Sequence, residues 1–132
     1  MSGIKELDLL LKSMKPHLVK GEFVFCTVAA GKLGDYVELN PIGTFIEPEG
    51  LTLVLERSVA EQNQLPFDGS FRMITLTVHS SLEAVGLTAA VSTKLASKDI
   101  SANVVAAYYH DHIFVPAAKA DLALQALNEF SE

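Results

Sequence analysis

The stretch Phe71-Arg-Met-Ile-Thr-Leu-Thr-Val78 and the residues that follow it, His79-Ser-Ser-Leu-Glu83, decide the predicted fold. In the first part, apolar residues alternate with threonines, which is the pattern of a strand with one buried face. In the second part, Ser80 precedes Glu83 in a Ser-x-x-Glu capping box, a motif that typically opens a helix. The sequence therefore predicts a strand, a turn and a helix that runs to about Ser97.

The elements after this helix complete most of a known pattern. Residues Asn103 to Tyr109 are rich in β-branched and aromatic side chains and predict a strand, and Ile113 to Val115 predict its hairpin partner. Residues Lys119 to Phe130 present apolar side chains at helical spacing. The predicted order of strand, helix, strand, strand and helix lacks only a final strand to be a ferredoxin-like unit.

The first half of the chain contains a degenerate repeat of the pattern in the second half. We predict an amphipathic helix, two strands separated largely by loop, and a short second helix, at residues 4–14, 22–28, 51–56 and 59–64 respectively. Pro66 and Gly69 mark the boundary between the halves. The predicted fold is α+β, with tandem ferredoxin-like halves of βαββαβ type at residues 1–67 and 68–132, the first half being degenerate.

Composition restricts the classes of function. The chain has 132 residues, 49% of them hydrophobic, and a formal net charge of −6. Its basic residues are scattered, so we expect neither a nucleic-acid partner nor an anionic membrane surface. No apolar run approaches the roughly 18 residues of a membrane span. The single cysteine, Cys26, and a charged N-terminus lead us to expect a cytoplasmic protein.

Several stretches resemble a family of short bacterial ACT-domain proteins. They are Glu49–Leu55, Ile74–Ala90, Asn103–Val105, Tyr109–Pro116, Met14–Pro16 and Phe25–Val28. The resemblance covers nearly the whole chain, and the family is similar in architecture to the tandem ACT domains of eukaryotic cytosolic arginine sensors. It implies a module that binds a small ligand, often an amino acid, and regulates an attached or partner protein. Because no catalytic domain is fused to this sequence, the resemblance implies an output through another chain.

The turn between the first strand and helix of the second half is the first candidate for ligand binding. A helix N-terminus offers N–H groups and partial positive charge, which suit a carboxylate. The facing strand offers Asn103 and backbone carbonyls for an ammonium group. In the alternative, Ser80 and Glu83 only cap the helix and the strand is simply buried. The predicted ligand-binding set is His79, Ser80, Ser81, Leu82, Glu83, Val85, Gly86, Leu87, Asn103, Val104, Val105, His110 and Asp111.

The sequence His110-Asp111-His112 permits a metal site, because histidine and aspartate are common metal ligands. Aspartate is also a good turn former, and His79 is the one further imidazole expected nearby. We therefore expect a solvent-exposed turn with a pH-sensitive role, and no metal or other cofactor. Cys26 lies in an apolar strand, which favours a buried thiol over a nucleophile.

The sequence thus predicts a small-molecule sensor, for an amino acid or a similar zwitterion, without catalytic activity. We expect a homodimer that acts on a regulated partner protein. Two alternatives stay open. One is a protein-interaction module with no small ligand, and the other is a metal-dependent hydrolase that uses His79, His110 and His112.

Overall fold

The computed structural model describes residues 6–29, 32–77 and 86–131. The helices are α1 Leu7–Ser13, α2 Arg57–Gln62, α3 Leu87–Ser97 and α4 Ala120–Asn128. The strands are β1 Pro16–Leu18, β2 Phe23–Val28, β3 Gly43–Glu47, β4 Gly50–Glu56, β5 Phe71–Leu76, β6 Asn103–Ala106 and β7 Asp111–Pro116. Three 3-10 helices cover Leu33–Leu39, Ala117–Lys119 and Glu129–Ser131.

Contacts group the residues into two compact units. The larger unit is Met1–Lys20 together with Arg72–Glu132, and the smaller unit is Gly21–Phe71. The N-terminal segment and the C-terminal part of the chain therefore form one unit. The predicted halves, residues 1–67 and 68–132, divide the sequence at one point, whereas the contacts place the N-terminal segment in the same unit as the C-terminal part.

The larger unit is ferredoxin-like, and its final strand comes from the N-terminal segment. Its strands lie in the order β1, β5, β7, β6. Strand β1 pairs antiparallel with β5, with Pro16 opposite Leu76 and Leu18 opposite Ile74. The Thr77 N–H extends this ladder by donating to the Lys15 carbonyl at 3.0 Å. The strand that the pattern of the second half lacks is thus supplied by β1.

Helices α1, α3 and α4 form the core of the larger unit with one face of its sheet. The predicted spacing of four along α3 is confirmed, because Leu87, Val91 and Leu95 are all buried. The buried set also includes Leu10, Met14, Ile74, Leu76, Ile100, Ile113, Val115, Ala120, Ala123, Ala126 and Leu127. This face positions β7, on which the candidate site depends.

The smaller unit is the degenerate ferredoxin-like half. Its strands lie in the order β3, β4, β2, and Phe71 at the start of β5 pairs with Phe23. The 3-10 helix Leu33–Leu39 lies where a regular unit has its first α-helix, and its Asp35 carboxylate accepts the Lys32 N–H at 3.0 Å. The core of this unit consists of Val24, Cys26, Leu51, Leu53, Leu55 and Ala60.

The prediction of one helix from Ser80 to about Ser97 is wrong at Gly86. This residue has φ +101° and caps α3, which begins at Leu87. A left-handed backbone interrupts a right-handed helix, and glycine is the residue that adopts it readily. The predicted capping box at Ser80 and Glu83 lies outside the described residues.

The predicted turn at His110–His112 is also wrong. The hairpin turns at residues 107–110, so Asp111 and His112 lie in β7. Asp111 pairs with Ala106, and only 8% of its surface is exposed, whereas a residue of a solvent-exposed turn was expected. The aromatic residues Tyr108 and Tyr109 favoured a longer first strand, but they stand in the turn with more than half of their surface exposed.

No helix in the described ranges is long and apolar enough to span a membrane.

Candidate functional site

The structure describes only part of the predicted ligand-binding set. His79, Ser80, Ser81, Leu82, Glu83 and Val85 lie outside the described residues, and their binding role stays a prediction. The described members are Gly86, Leu87, Asn103, Val104, Val105, His110 and Asp111.

The members on β6 face opposite sides of the sheet. Asn103 pairs with Phe114 and Val105 with His112, while Val104 between them pairs with Ile113. Directly opposed residues of an antiparallel pair share a face. Val104 therefore packs against the helix-covered core, whereas Asn103 and Val105 project from the other face. A single small ligand cannot contact all three side chains.

Asp111 is the buried charged residue of the site. It alternates along β7 with Ile113 and Val115, so its carboxyl group lies on the helix-covered face. Burial raises the pKa of Asp111, and the nearby imidazoles of His112 and His110 offset this only in part. Within the ranges that the structure describes, no side chain donates a hydrogen bond to this carboxylate, and its oxygens are not among the fully buried atoms that lack a partner. A cationic group from outside the chain would complement it.

His110 adds a second unsatisfied group beside Asp111. Its carbonyl accepts the Ala107 N–H at 3.0 Å and closes the hairpin turn. Its Nδ1 atom is buried and has no hydrogen-bond partner among the described residues. Buried polar atoms usually have partners, and those that lack one often mark a place where a ligand or water binds.

His112 has a structural partner on the opposite face. Its Nδ1 lies 2.9 Å from Thr75 Oγ1, across the β5–β7 pair. Burial lowers the pKa of His112, the His110 charge lowers it further, and Asp111 acts in the other direction. His112 is therefore a hydrogen-bonded residue of the sheet, and burial favours its neutral form. Thr75 could not be recognised as this partner from the sequence, because alternation does not reveal which strands pair.

We predict that Thr75→Val destabilises the protein by about 1 kcal/mol, the usual net loss for one hydrogen bond. Valine has nearly the same shape, so the change removes the hydroxyl partner of His112 with little effect on packing. Urea denaturation at pH 7 measures the difference. Thr27→Val, at an exposed position on β2, is the matched control and should change the free energy of unfolding much less. Equal effects of the two substitutions would contradict the role of the Thr75 hydroxyl.

The three residues His110-Asp111-His112 do not converge as a metal site. Asp111 and His112 are neighbours on one strand and project from opposite faces. In the part of the chain that the structure describes, no group of three or more histidine, cysteine or acidic side chains is placed to hold a metal ion. His79 lies outside these residues, so the three-histidine alternative stays untested.

Gly86 and Leu87 have packing roles in the described structure. A Cβ atom at Gly86 would lie 3.1 Å from Leu7 Cδ2 of α1, so a neighbouring helix already occupies the side on which a side chain would stand. The Gly86 carbonyl accepts the Ala90 N–H at 2.8 Å. Leu87 is a core residue with 4% of its surface exposed. A part for them in ligand binding stays a prediction, and it would involve their backbone N–H groups rather than their side-chain positions.

Comparison with known proteins agrees with this architecture. Two models of the ACT domain match the chain, one over residues 2–72 and the other over residues 70–129. No curated protein matches it.

Three solved structures illustrate the range of similarity. A Vibrio cholerae protein of unknown function, described as a possible transport protein, is 63% identical with TM-score 0.89, over 99% of this chain and 100% of that one. An Agrobacterium tumefaciens protein is 15% identical with TM-score 0.68, over 89% of each chain. The regulatory subunit of aspartate kinase from Thermus thermophilus is 10% identical with TM-score 0.61, over 89% of this chain and 97% of that one.

The two distant likenesses concern the fold alone. The family models together cover almost the whole sequence and meet near residue 71, although the first model also includes the N-terminal segment that the contacts group with the C-terminal part of the chain. The chain therefore belongs to the ACT-domain family and carries two ACT domains in tandem.

Proposed function

We propose that this protein is a regulatory module that binds a free amino acid, or a similar small zwitterion, and catalyses no reaction. Membership of the ACT-domain family supports a regulatory ligand-binding role. The likeness in fold to the regulatory subunit of an aspartate kinase is consistent with it. The proposed output is a change in the activity of a partner protein in the cytoplasm.

The observation that carries this proposal is the buried carboxylate of Asp111. A buried charge without a partner costs free energy, so chains rarely keep one unless it has a use. Only 8% of the Asp111 surface is exposed, and the nearby imidazoles of His112 and His110 offset the effect of burial only in part. An ammonium group is the common feature of free amino acids, and it would supply the missing positive charge and hydrogen bonds.

His110, the next residue along the chain, is the second group that we propose to contact the ligand, because its charge acts on Asp111. We propose that its buried Nδ1 atom forms a hydrogen bond with a polar group of the ligand. The atom donates in the tautomer that carries its proton there and accepts in the other tautomer. The stretch His79–Val85 remains the proposed partner for the ligand carboxylate, on the strength of the sequence.

The register of the hairpin favours a narrower site than the predicted set. Asn103 pairs with Phe114, three positions along β7 from Asp111. Three strand positions span about 10 Å, which is longer than the backbone of one amino acid. We therefore propose that His110 and Asp111 contact the ligand, that Asn103 lies beyond its reach, and that Val105, which pairs with His112, lies on the other face of the sheet.

Regulation further requires that the ligand bind two states of the protein with different affinity. We propose that the module works as a homodimer and that binding shifts its contacts with another protein. The ligand would then favour the state in which the Asp111 carboxylate is paired with its ammonium group.

A thermal-unfolding screen against the twenty amino acids, with and without Zn²⁺ and a chelator, tests the function. A ligand at about one hundred times its Kd adds roughly 2.7 kcal/mol, so we expect one chemical class to raise Tm by about 10 °C. A rise with Zn²⁺ alone would favour the metal-dependent hydrolase instead. No response to any compound would favour the protein-interaction module.

A further inference from the structure

Arg72, near the start of β5, has no acidic partner among the residues that the structure describes. The other arginine of the chain, Arg57, forms ion pairs with Glu22 and Glu61. The Nη2 atom of Arg72 donates to the Val19 carbonyl at 3.1 Å, but its Nε atom is buried and has no hydrogen-bond partner. A buried polar atom without a partner often marks the place of a missing water or ion.

The position of Arg72 in the sheet makes a bound anion the stronger explanation. Along β5, Arg72 alternates with Ile74 and Leu76, which are buried in the core of the larger unit. Its side chain therefore leaves the strand on the helix-covered face, and Arg72 is only partly exposed. An arginine does not lose its proton in a protein, so burial cannot neutralise it in the way that it neutralises a carboxyl group. An anion would satisfy both the charge and the Nε donor.

A second cation lies next to the carbonyl that Arg72 contacts. Lys20 follows Val19 directly, its side chain is exposed, and none of the ion pairs between described residues includes it. Both residues belong to the larger unit, in which eight basic residues balance eight acidic ones. The net charge of −6 therefore resides in the smaller unit and does not make the larger unit repel anions as a whole.

We propose that Arg72 and Lys20 bind a phosphate group, either as the free ion or on a small metabolite. The planar guanidinium group matches the oxygen atoms of a phosphate, and the lysine ammonium adds a point charge. Two cations match a phosphate group, which carries about −1.5 to −2 charge at pH 7, better than they match a single carboxylate.

This site is separate from the one proposed for an amino acid. Thr75 lies beside His112, the neighbour of Asp111, and Arg72 precedes Thr75 by three positions on β5. Three strand positions span about 10 Å. Phosphate at Arg72 therefore does not contact Asp111, and the two sites can be tested independently.

Thermal unfolding of the full chain at pH 7 tests the phosphate site, with inorganic phosphate replacing chloride at constant ionic strength. Phosphate at about ten times its Kd should raise the Tm of the wild type by roughly 5 °C. Arg72→Gln should abolish this rise, and Lys20→Gln should reduce it about twofold because one of the two cations remains. Since Lys20 is exposed, its variant should fold even if Arg72→Gln does not.

Lys15→Gln, at another exposed lysine of the N-terminal segment, is the matched control and should respond to phosphate like the wild type. Phosphate also stabilises proteins generally, because it is excluded from their surfaces. Equal rises in the wild type and all three variants would show only this general effect and would overturn the proposal, as would no rise in the wild type.

Two further anions define the ligand class. Acetate carries a single charge and should raise Tm less than phosphate, and an equal rise would overturn the assignment to a phosphate group. Glycerol phosphate should raise Tm at least as much as inorganic phosphate. An equal rise indicates that the free ion is sufficient, and a larger one indicates that the rest of a metabolite contributes.

Discussion

Asp111→Asn should abolish the amino-acid-induced rise in Tm and, at the same time, make the ligand-free protein more stable than the wild type at pH 7. Asparagine keeps the shape of the side chain but removes the negative charge that would bind the ammonium group. It also removes a largely buried charge that the nearby imidazoles of His112 and His110 compensate only in part. Thermal unfolding with and without the best amino acid measures both effects.

The pH dependence of stability follows from the direction of the pKa shift. Because the folded pKa of Asp111 is raised, the folded state keeps a proton over a range in which the unfolded state has lost it. The contribution of Asp111 to stability is therefore full below its ordinary pKa of about 3.9 and is lost as pH rises through the folded value. Asp111→Asn should lack this loss, so its advantage over the wild type should grow between acidic and neutral pH.

His112 acts in the opposite direction and is present in both proteins. Its pKa is lowered in the folded state, so the protein loses stability as pH falls below the ordinary value of about 6.5. Asp121→Asn, at an exposed position on α4, is the control for the change of residue type and should leave the ligand response intact. An Asp111→Asn variant that keeps the ligand response, or that is less stable than the wild type, would be evidence against the proposed site.

Gly50→Ala should destabilise the protein by roughly 2–4 kcal/mol, as steric strain at a special backbone position does. Gly50 follows the two-residue turn between β3 and β4 and has φ +156°. A Cβ atom there would lie 2.6 Å from the Val28 carbonyl oxygen and 3.0 Å from Thr27 Oγ1. The contact with backbone cannot be relieved by rotating a side chain, so β2 and β4 would have to separate.

Gly43→Ala, at the other end of the same hairpin, is the matched control. A Cβ atom at Gly43 would lie 3.7 Å from Val54 Cγ2, an ordinary van der Waals contact, and its backbone φ is not positive. We expect it to change the free energy of unfolding by less than about 0.5 kcal/mol. Urea denaturation compares the two variants, and equal destabilisation would show that the strain at Gly50 is not the cause.

The elements of the second half could be predicted because their patterns are long. Alternation over residues 71–78 predicts β5, and steps of four predict the buried face of α3 at Leu87, Val91 and Leu95. Strand β1 could not be predicted. It has three residues, which are too few to show an alternation of apolar and polar side chains. Its pairing with Ile74–Leu76, rather than its own composition, makes it a strand.

The errors at the site have local physical causes. Tyr108 and Tyr109 have high strand propensity, yet they stand in the turn because the register pairs Ala106 with Asp111. A charged residue next to two histidines is usually exposed, and the burial of Asp111 follows from its alternation with Ile113 and Val115. Gly86 interrupts a pattern that is otherwise helical, because its backbone adopts a positive φ.

The central claim is that a small zwitterion binds at His110 and Asp111. The most direct test is an amide chemical-shift titration of isotope-labelled protein with the amino acid that raises Tm most. We expect saturable shifts at the amides of residues 107–112 and much smaller shifts at the amides of β3, which belongs to the other unit. Saturable shifts confined to other residues, or none with any of the twenty amino acids, would contradict it.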